Sequence, residues 1–236
     1  YDETHIIGIG KETVAEREDF AWYQGVKISL FDVSDVNNPV EIGKYIIGDR
    51  GTDSPVLWDH KAFLFDKSRN LMVIPVLEAK VDESGYPGGV TPDAYGEPVW
   101  QGAYVFHISV DAGISLQGRI THIEDIADPE KEYYYYYSPF AVERSLYIED
   151  VLYTISQAKI KMNNLDSLGY INEVELPVQN VEPRAPNCTV VIGVQLCFAA
   201  SMTGRFRCQS SPEGAFATVE GRQGSMNAGS GALCAF

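Results

Sequence analysis

The segment from residue 25 to residue 76 constrains the fold more than any other part of the chain. It reads GVKISLFDVSDVNNPVEIGKYIIGDRGTDSPVLWDHKAFLFDKSRNLMVIPV, in which short runs of β-forming residues are separated by turn residues. Residues 35–39 (DVNNP) form one dense turn signal, and residues 66–70 (DKSRN) form another. Runs of this length and spacing predict antiparallel strands that are joined by tight turns.

Three units with the same strand order can be overlaid along the chain. The second strands are residues 5–10, 71–76 and 151–156, the third 25–33, 102–110 and 158–162, the fourth 40–47, 116–123 and 169–176, and the first, for two units only, 59–65 and 144–148. Because one unit cannot bury both of its faces, neighbouring units must stack. The pattern predicts an all-β fold, a β-propeller fragment of about three four-stranded meander blades.

The same segment resembles a known protein family. The resemblance rests on residues 30–45 (LFDVSDVNNPVEIGKY), 47–52 (IGDRGT) and 59–76 (DHKAFLFDKSRNLMVIPV) and extends over residues 1–177. These residues are similar to the secreted, largely archaeal family described as having a C-terminal β-propeller distantly related to WD40 repeats. The resemblance implies a propeller fold, an extracellular or cell-surface location and a role at the cell surface. It implies no activity and no catalytic residues.

Charge and cysteine usage change abruptly near residue 180. The net charge of the chain is −15, and residues 1–180 hold 30 acidic and 14 basic side chains, whereas residues 181–236 hold 3 and 4 together with all four cysteines. This shift predicts propeller blades over residues 1–177 and a Cys/Gly/Ala/Ser-rich tail over residues 178–236. Two interpretations of the tail stay open: a secreted segment with two disulfides in one of three pairings, or a frameshifted or vector-derived, non-native extension. We expect at most residues 189–200 to add strands, and residues 201–236 to be irregular.

Composition also excludes some partners. A strongly acidic chain is a poor ligand for nucleic acid, because the phosphate backbone is recognised by Lys and Arg. There is no apolar run of the roughly 18 residues that a membrane span requires. The chain opens without a signal peptide, and we interpret this as a start inside a domain, so the extracellular prediction stands.

The candidate binding residues lie in the connections between strands. Residues 11–24 and 78–101 are predicted to be long loops at equivalent positions of two blades, and they carry Trp22 and Trp100. Asp59 and His60 precede the predicted innermost strand of a blade, and Asp49 and Arg50 lie in the preceding connection. Together these four residues allow a polar site for an anion, a metal or a sugar. We favour the interpretation that Asp59 and His60 bond to neighbouring backbone and fix one blade to the next.

Other motifs predict less. The oxygen-rich set Asp32, Ser34, Asp35 and Asn37 allows Ca²⁺, but its spacing fits no EF-hand loop, and Asx turns before Pro39 explain it more simply. We therefore predict no cofactor, no metal site and no catalytic residue. The five tyrosines at residues 133–137 suit either contact with a partner or packing between blades.

These observations favour one function over a rival. The leading hypothesis is an extracytoplasmic binding or scaffold module that recognises a protein or glycan at the cell surface without catalysis. The alternative is a propeller hydrolase or lyase with a polar site at the channel mouth, to which Asp59 and His60 contribute. An enzyme needs convergent ionisable groups, whereas a binding module needs only an exposed aromatic or polar patch.

Overall fold

The computed structural model describes residues 1–123 and 138–177, together with the backbone of four strands after residue 186. The chain divides into two compact units, Tyr1–Val178 and Gln179–Phe236. Within the described residues only short 3-10 helices interrupt the strands, and no helix there has the length and apolar character needed to cross a membrane.

Three antiparallel meanders make up the first unit, and each contains strands that are consecutive in the chain. They are β1 (His5–Arg17), β2 (Phe20–Asp32) and β3 (Val40–Ile47); β4 (Leu64–Asp66), β5 (Leu71–Lys80), β6 (Glu97–Ser109) and β7 (Gly113–Ile120); and β8 (Arg144–Ile148), β9 (Val151–Ile155), β10 (Lys159–Asn164) and β11 (Tyr170–Glu175). The prediction of an all-β fold with meander blades is confirmed. The described part of the first sheet has three strands, as the sequence pattern indicated, and the other two have four.

Asp side chains form several of the turns between strands. The Asp32 carboxylate accepts a hydrogen bond from the Ser34 N–H at 2.8 Å, and the Asp35 carboxylate accepts one from the Asn37 N–H at 3.0 Å. Both are Asx turns, in which a side-chain oxygen replaces a backbone acceptor. The turn between β4 and β5 ends at Asn70, whose φ of 51° is the left-handed conformation that Asn tolerates.

The two predicted long loops are shorter than expected, because strands extend into them. β1 continues to Arg17 and β2 begins at Phe20, so residues 11–24 are the outer half of a β-hairpin. β5 likewise continues to Lys80 and β6 begins at Glu97, which leaves only residues 81–96 as a loop. For residues 11–24 the prediction was wrong because charged and apolar side chains are mixed on both faces of the hairpin, while cross-strand pairing still satisfies the backbone.

The predicted first strand of the second blade, residues 59–65, was also placed too early. Residues His60–Ala62 form a 3-10 helix, and β4 begins only at Leu64. The Asp59 carboxylate accepts a hydrogen bond from the Lys61 N–H and so caps this helix at its N-terminal end. A cap of this kind competes with strand pairing for the local backbone, so the two residues that the sequence placed at the start of a strand lie in a turn instead.

The hydrophobic core lies between neighbouring sheets. Met72, Ile74 and Val76 of β5 pack with residues of β2 in one cluster, whereas Leu71 and Val73 pack with residues of the third sheet in another. Alternate residues of a strand point to opposite faces, so β5 contributes to both cores. This explains why Leu71 to Ala79 is buried throughout and why its sequence shows no polar alternation.

The second unit contains one described antiparallel sheet. Its strands are β12 (Asn187–Val191), β13 (Val194–Phe198), β14 (Phe206–Ser210) and β15 (Phe216–Val219), in that order. The backbone register places Cys188 opposite Cys197. β14 and β15 differ from the irregular chain expected for residues 201–236; their sequences, FRCQS and FATV, are short β-forming runs between small residues. The domain limits and the non-native origin stay predictions.

Candidate functional site

A cleft of about 230 Å³ opens where the outer half of the first hairpin meets the connection between β3 and β4. Lys11 of β1 and Tyr23 and Gln24 of β2 supply one wall, Arg50, Gly51 and Asp53 of the connection supply the floor, and Tyr95 of the 81–96 loop supplies the other wall. The Gln24 amide donates a hydrogen bond to the Pro92 carbonyl at 2.8 Å, which ties the two walls together.

Arg50 occupies the centre of this cleft. The carbon of its guanidinium group lies 4.5 Å from the centre of the Trp22 ring and 5.6 Å from that of Tyr95. Both distances are within the range of a cation–π interaction. The Nε atom is buried without a hydrogen-bond partner. The described residues therefore give the Arg50 guanidinium two aromatic neighbours and no acceptor for its N–H groups.

A tight turn on the edge of β5 fixes the position of Arg50. The Asp49 N–H donates to the Ala79 carbonyl at 2.9 Å, and the Asp49 carboxylate accepts from the Val81 N–H at 2.9 Å. The Thr52 hydroxyl bonds both backbone groups of Ala79, at 3.1 and 3.0 Å. These bonds fix both ends of the turn. The Asp49 carboxylate therefore has a structural role, because it accepts a hydrogen bond from the backbone.

Glycine is required in this turn. Gly51 has a φ of 109°, and a Cβ at this position would lie 2.8 Å from the Gly96 carbonyl oxygen and 2.9 Å from the Tyr95 ring. The Arg50 carbonyl accepts a hydrogen bond from the Gly96 N–H at 2.7 Å. The close approach of the two backbones brings Tyr95 next to Arg50, and only a residue without a side chain permits it.

The other charged groups of the cleft are already paired. Lys11 forms an ion pair with Asp53 at 3.1 Å and also donates to the Thr52 carbonyl. Asp93, in the neighbouring loop, has a pKa below its ordinary value, first because the Thr91 hydroxyl bonds it and, as the smallest contribution, because of the charge of Arg50. Arg50 has no carboxylate within ion-pair distance among the described residues. Of the two cations that line the cleft, Lys11 is therefore paired with a carboxylate and Arg50 is not.

The structure brings together only two of the six candidate residues, Arg50 and Trp22. The Asp59 carboxylate lies elsewhere: it caps Lys61 at 2.9 Å and pairs with the Arg144 guanidinium of β8 at 3.2 Å. Its pKa is lowered, mainly by the Lys61 N–H. His60 has an exposed side chain next to it. Asp59 of the second blade is thus linked to Arg144 of the third blade by an ion pair.

The sixth candidate, Trp100, belongs to a different cluster. Its ring lies edge-on to Tyr104 at 5.1 Å, and the Arg119 guanidinium lies 4.8 Å above it. The Tyr104 hydroxyl donates to the buried Glu78 carboxylate at 2.7 Å, and Arg119 pairs with the same carboxylate at 2.9 Å. Burial and then Glu78 raise the pKa of Tyr104. All the charges of this cluster are satisfied within the second blade, which indicates a structural role.

Six residues that line the cleft were not selected from the sequence: Lys11, Tyr23, Gln24, Gly51, Asp53 and Tyr95. The available signal was the presence of aromatic residues in both predicted loops, and it pointed to Trp22 and Trp100 rather than to the tyrosines. Tyr23 is 66% exposed and Tyr95 is 59% exposed, so both present an open ring face. A sequence pattern does not distinguish an exposed ring from one that is packed, because exposure depends on contacts with distant residues.

Metal ligation finds no candidate in the part of the chain that is described, where no group of three His, Cys, Asp or Glu side chains is suitably clustered. The oxygens of Asp32 and Asp35 are engaged in their turns. The absence of a cofactor and of a metal site stays a prediction. The tyrosines at residues 133–137 lie outside the described residues.

Comparisons with known proteins define the family. The family model described as a beta propeller domain matches residues 1–168, so the chain belongs to the beta propeller domain family. An uncharacterised protein of Archaeoglobus fulgidus is 34% identical over 74 residues, which are 31% of this chain and 10% of that protein. An uncharacterised protein of Methanocaldococcus jannaschii is 27% identical over 169 residues, 72% of this chain and 19% of that protein. The chain thus spans between a tenth and a fifth of these relatives' length. No solved structure matches it.

Proposed function

We propose that this chain is a non-catalytic binding module of an extracytoplasmic, cell-surface protein and that it recognises a glycan in the cleft around Arg50. The observation that carries this proposal is an arginine in cation–π contact with two aromatic rings, whose N–H groups have no acceptor among the described protein groups. An exposed tyrosine stands on each wall of the same cleft. Aromatic faces with a few oriented polar groups suit the alternating apolar and hydroxylated surfaces of a sugar ring.

The location is part of the proposal and is supported by the resemblance of residues 30–76 to a secreted, cell-surface propeller family. A protein ligand is the other possibility for such a surface. We favour a glycan because the cleft is small, at about 230 Å³. That space suits one sugar unit at the end of a longer polymer, whereas protein interfaces commonly bury about 800 Å² on each partner.

The test is binding of a panel of defined oligosaccharides, followed by saturation-transfer NMR, with two matched tyrosine variants. Tyr23→Ala removes an exposed ring from the cleft, and we expect affinity to fall by about fivefold to tenfold, the cost of one aromatic contact. Tyr170→Ala is the control, because Tyr170 is equally exposed, at 60%, but lies on β11 of the third blade.

Equal losses in both variants, or binding of protein ligands alone, would contradict the proposal. The samples are also assayed for shortened or unsaturated sugar products, since a hydrolase or a lyase would generate them. Product formation that Asp59→Asn or His60→Gln abolishes would favour the enzyme alternative instead.

A further inference from the structure

The aromatic contacts and the unpaired N–H groups of Arg50 indicate which class of glycan the cleft binds. The centres of the Trp22 and Tyr95 rings lie 4.5 and 5.6 Å from its guanidinium carbon, and its N–H groups lie along the edge of the guanidinium plane. That edge carries parallel N–H donors whose geometry matches the two oxygens of a carboxylate. An arginine that is stacked on aromatic rings keeps little side-chain freedom to lose on binding. The site is thus preorganised for a planar anion.

A second stacked arginine shows what a satisfied site looks like in the same protein. Arg69 lies 5.3 Å above the Tyr147 ring, and its guanidinium nitrogens also bond the Asp150 carboxylate at 3.4 Å. Arg50 has the ring contacts but not the carboxylate. The difference between the two arginines is the missing acceptor, which a ligand would supply.

The remaining polar groups of the cleft indicate which hydrogen-bonding groups the rest of the ligand carries. Two hydrogen-bond acceptors line the cleft together with Arg50: the Asp53 carboxylate, which pairs with Lys11 at 3.1 Å, and the side-chain carbonyl oxygen of Gln24. Sugar hydroxyls donate readily to such acceptors. Asp93 and the net charge of −15 oppose the approach of any anion. A single carboxylate on a hydroxylated ring therefore fits this cleft better than a multiply charged phosphate.

We infer that the ligand is an acidic saccharide whose uronic acid carboxylate pairs with Arg50 while its ring lies against Tyr23 or Tyr95. This inference rests on the proposed function, because it assigns the ligand of the same cleft. A charge-assisted bidentate pair at a partly desolvated site contributes about tenfold or more in affinity. A neutral sugar with the same ring and linkage differs from the acidic sugar only in lacking the carboxylate, so it lacks only this contribution to the affinity.

The experiment compares a galacturonate trisaccharide with its carboxyl-reduced, neutral counterpart by calorimetric titration. With the unmodified chain we expect the acidic sugar to bind at least about tenfold more tightly. Arg50→Gln is expected to remove this preference, because the acidic sugar loses its charge-assisted pair with Arg50 and therefore loses more affinity than the neutral sugar does. Arg50→Lys retains the charge but not the paired donors, and it should recover only part of the preference.

Arg69→Gln is the matched control, since this arginine is also stacked but is already paired, and it should leave the preference unchanged. Thermal unfolding of each variant verifies that the fold persists.

If both sugars bind equally to the unmodified chain, or if Arg50→Gln retains the preference, the ligand assignment is wrong while the glycan-binding function stands. If neither sugar binds and poly-glutamate does, the ligand is a protein and the proposed function fails as well. A sulfated trisaccharide that binds more tightly than the carboxylate would overturn the choice of anion.

Discussion

At the scale of single residues, the buried His122 makes the stability of the fold depend on pH. It is buried, with 3% of its surface exposed, where β7 passes to the third blade. One ring nitrogen bonds the Ser156 hydroxyl at 3.0 Å and the other bonds the Thr154 hydroxyl at 2.8 Å. Both partners belong to the third blade, so a neutral imidazole joins two blades. Burial, together with the nearby charges of Lys161 and Lys159, lowers the pKa of His122 to about 4.

This pKa predicts a specific dependence of stability on pH. The unfolded histidine has a pKa near 6.5, so the unfolded chain binds the proton first, and protonation favours unfolding. Stability that depends on the neutral ring is complete above pH 6.5 and is lost as the pH falls to 4, by about 3 kcal/mol in total. We expect His122→Gln to lack this decrease, as measured by urea unfolding between pH 7 and pH 4.

The control is His60→Gln, because His60 is exposed and its loss should leave the decrease intact. Acid titration of carboxylates is common to all three chains and cancels in the comparison. Parallel curves for the unmodified chain and His122→Gln would contradict the assignment.

The same scale shows which site residues could be predicted. Arg50 and Trp22 were selected because charged and aromatic residues in a connection favour binding, and the structure brings them together. Asp49 and Asp59 looked equivalent to Arg50 in the sequence, but both carboxylates bond backbone N–H groups. Whether an Asp is a ligand or a cap depends on the exact turn around it. That turn depends on contacts with residues distant in the chain, so the sequence alone did not distinguish the two roles.

At the scale of secondary-structure elements, strands buried on at least one face were predictable. Their apolar residues recur with period two, or without interruption in β5, which has core on both sides. The outer half of the first hairpin was not predictable in this way. Residues 11–24 have polar side chains on both faces, and their strand character comes only from cross-strand backbone bonds. Patterns of hydrophobicity carry no information about such a hairpin.

This difference predicts that the end of the hairpin contributes little to stability. Residues 14–22 supply no member of the core clusters, and Val14 and Phe20 are 41% and 38% exposed. Thr13 and Tyr23 are opposite each other, so an Asn-Gly turn can replace the segment between them. We expect the free energy of unfolding in urea to change by no more than about 1 kcal/mol, the size of the lost cation–π contact between Trp22 and Arg50.

The comparison is Ile28→Ala in the same β2, at a position with no exposed surface, which should cost about 2–5 kcal/mol. A loss of similar size on replacing residues 14–22 would show that the hairpin end is part of the folding core after all.

At the scale of the whole molecule, the first unit is held together by contacts between consecutive blades. The side chain of Gln101 exchanges two hydrogen bonds of 2.9 Å with the backbone of Val142, and Arg144 pairs with Asp59. The second blade is thereby joined to the third by polar bonds as well as by apolar packing. The repeat in the sequence predicted that the units stack. It did not predict which side chains join them, because those residues differ from one blade boundary to the next.

The chain divides into two compact units, and the first of them, Tyr1–Val178, forms its own core clusters. This predicts that the tail contributes little to the stability of the blades. Deleting residues 181–236 should shift the thermal midpoint of the blades by less than about 2 °C, since 1 kcal/mol corresponds to roughly 2–4 °C in a domain of this size. All four cysteines are in the tail, so a reducing agent should not shift that midpoint either. Leu152→Ala, at a fully buried position of β9, is the control that should lower it clearly. A drop of several degrees on deletion, or on reduction of the intact chain, would show that the tail sheet is an integral part of the fold.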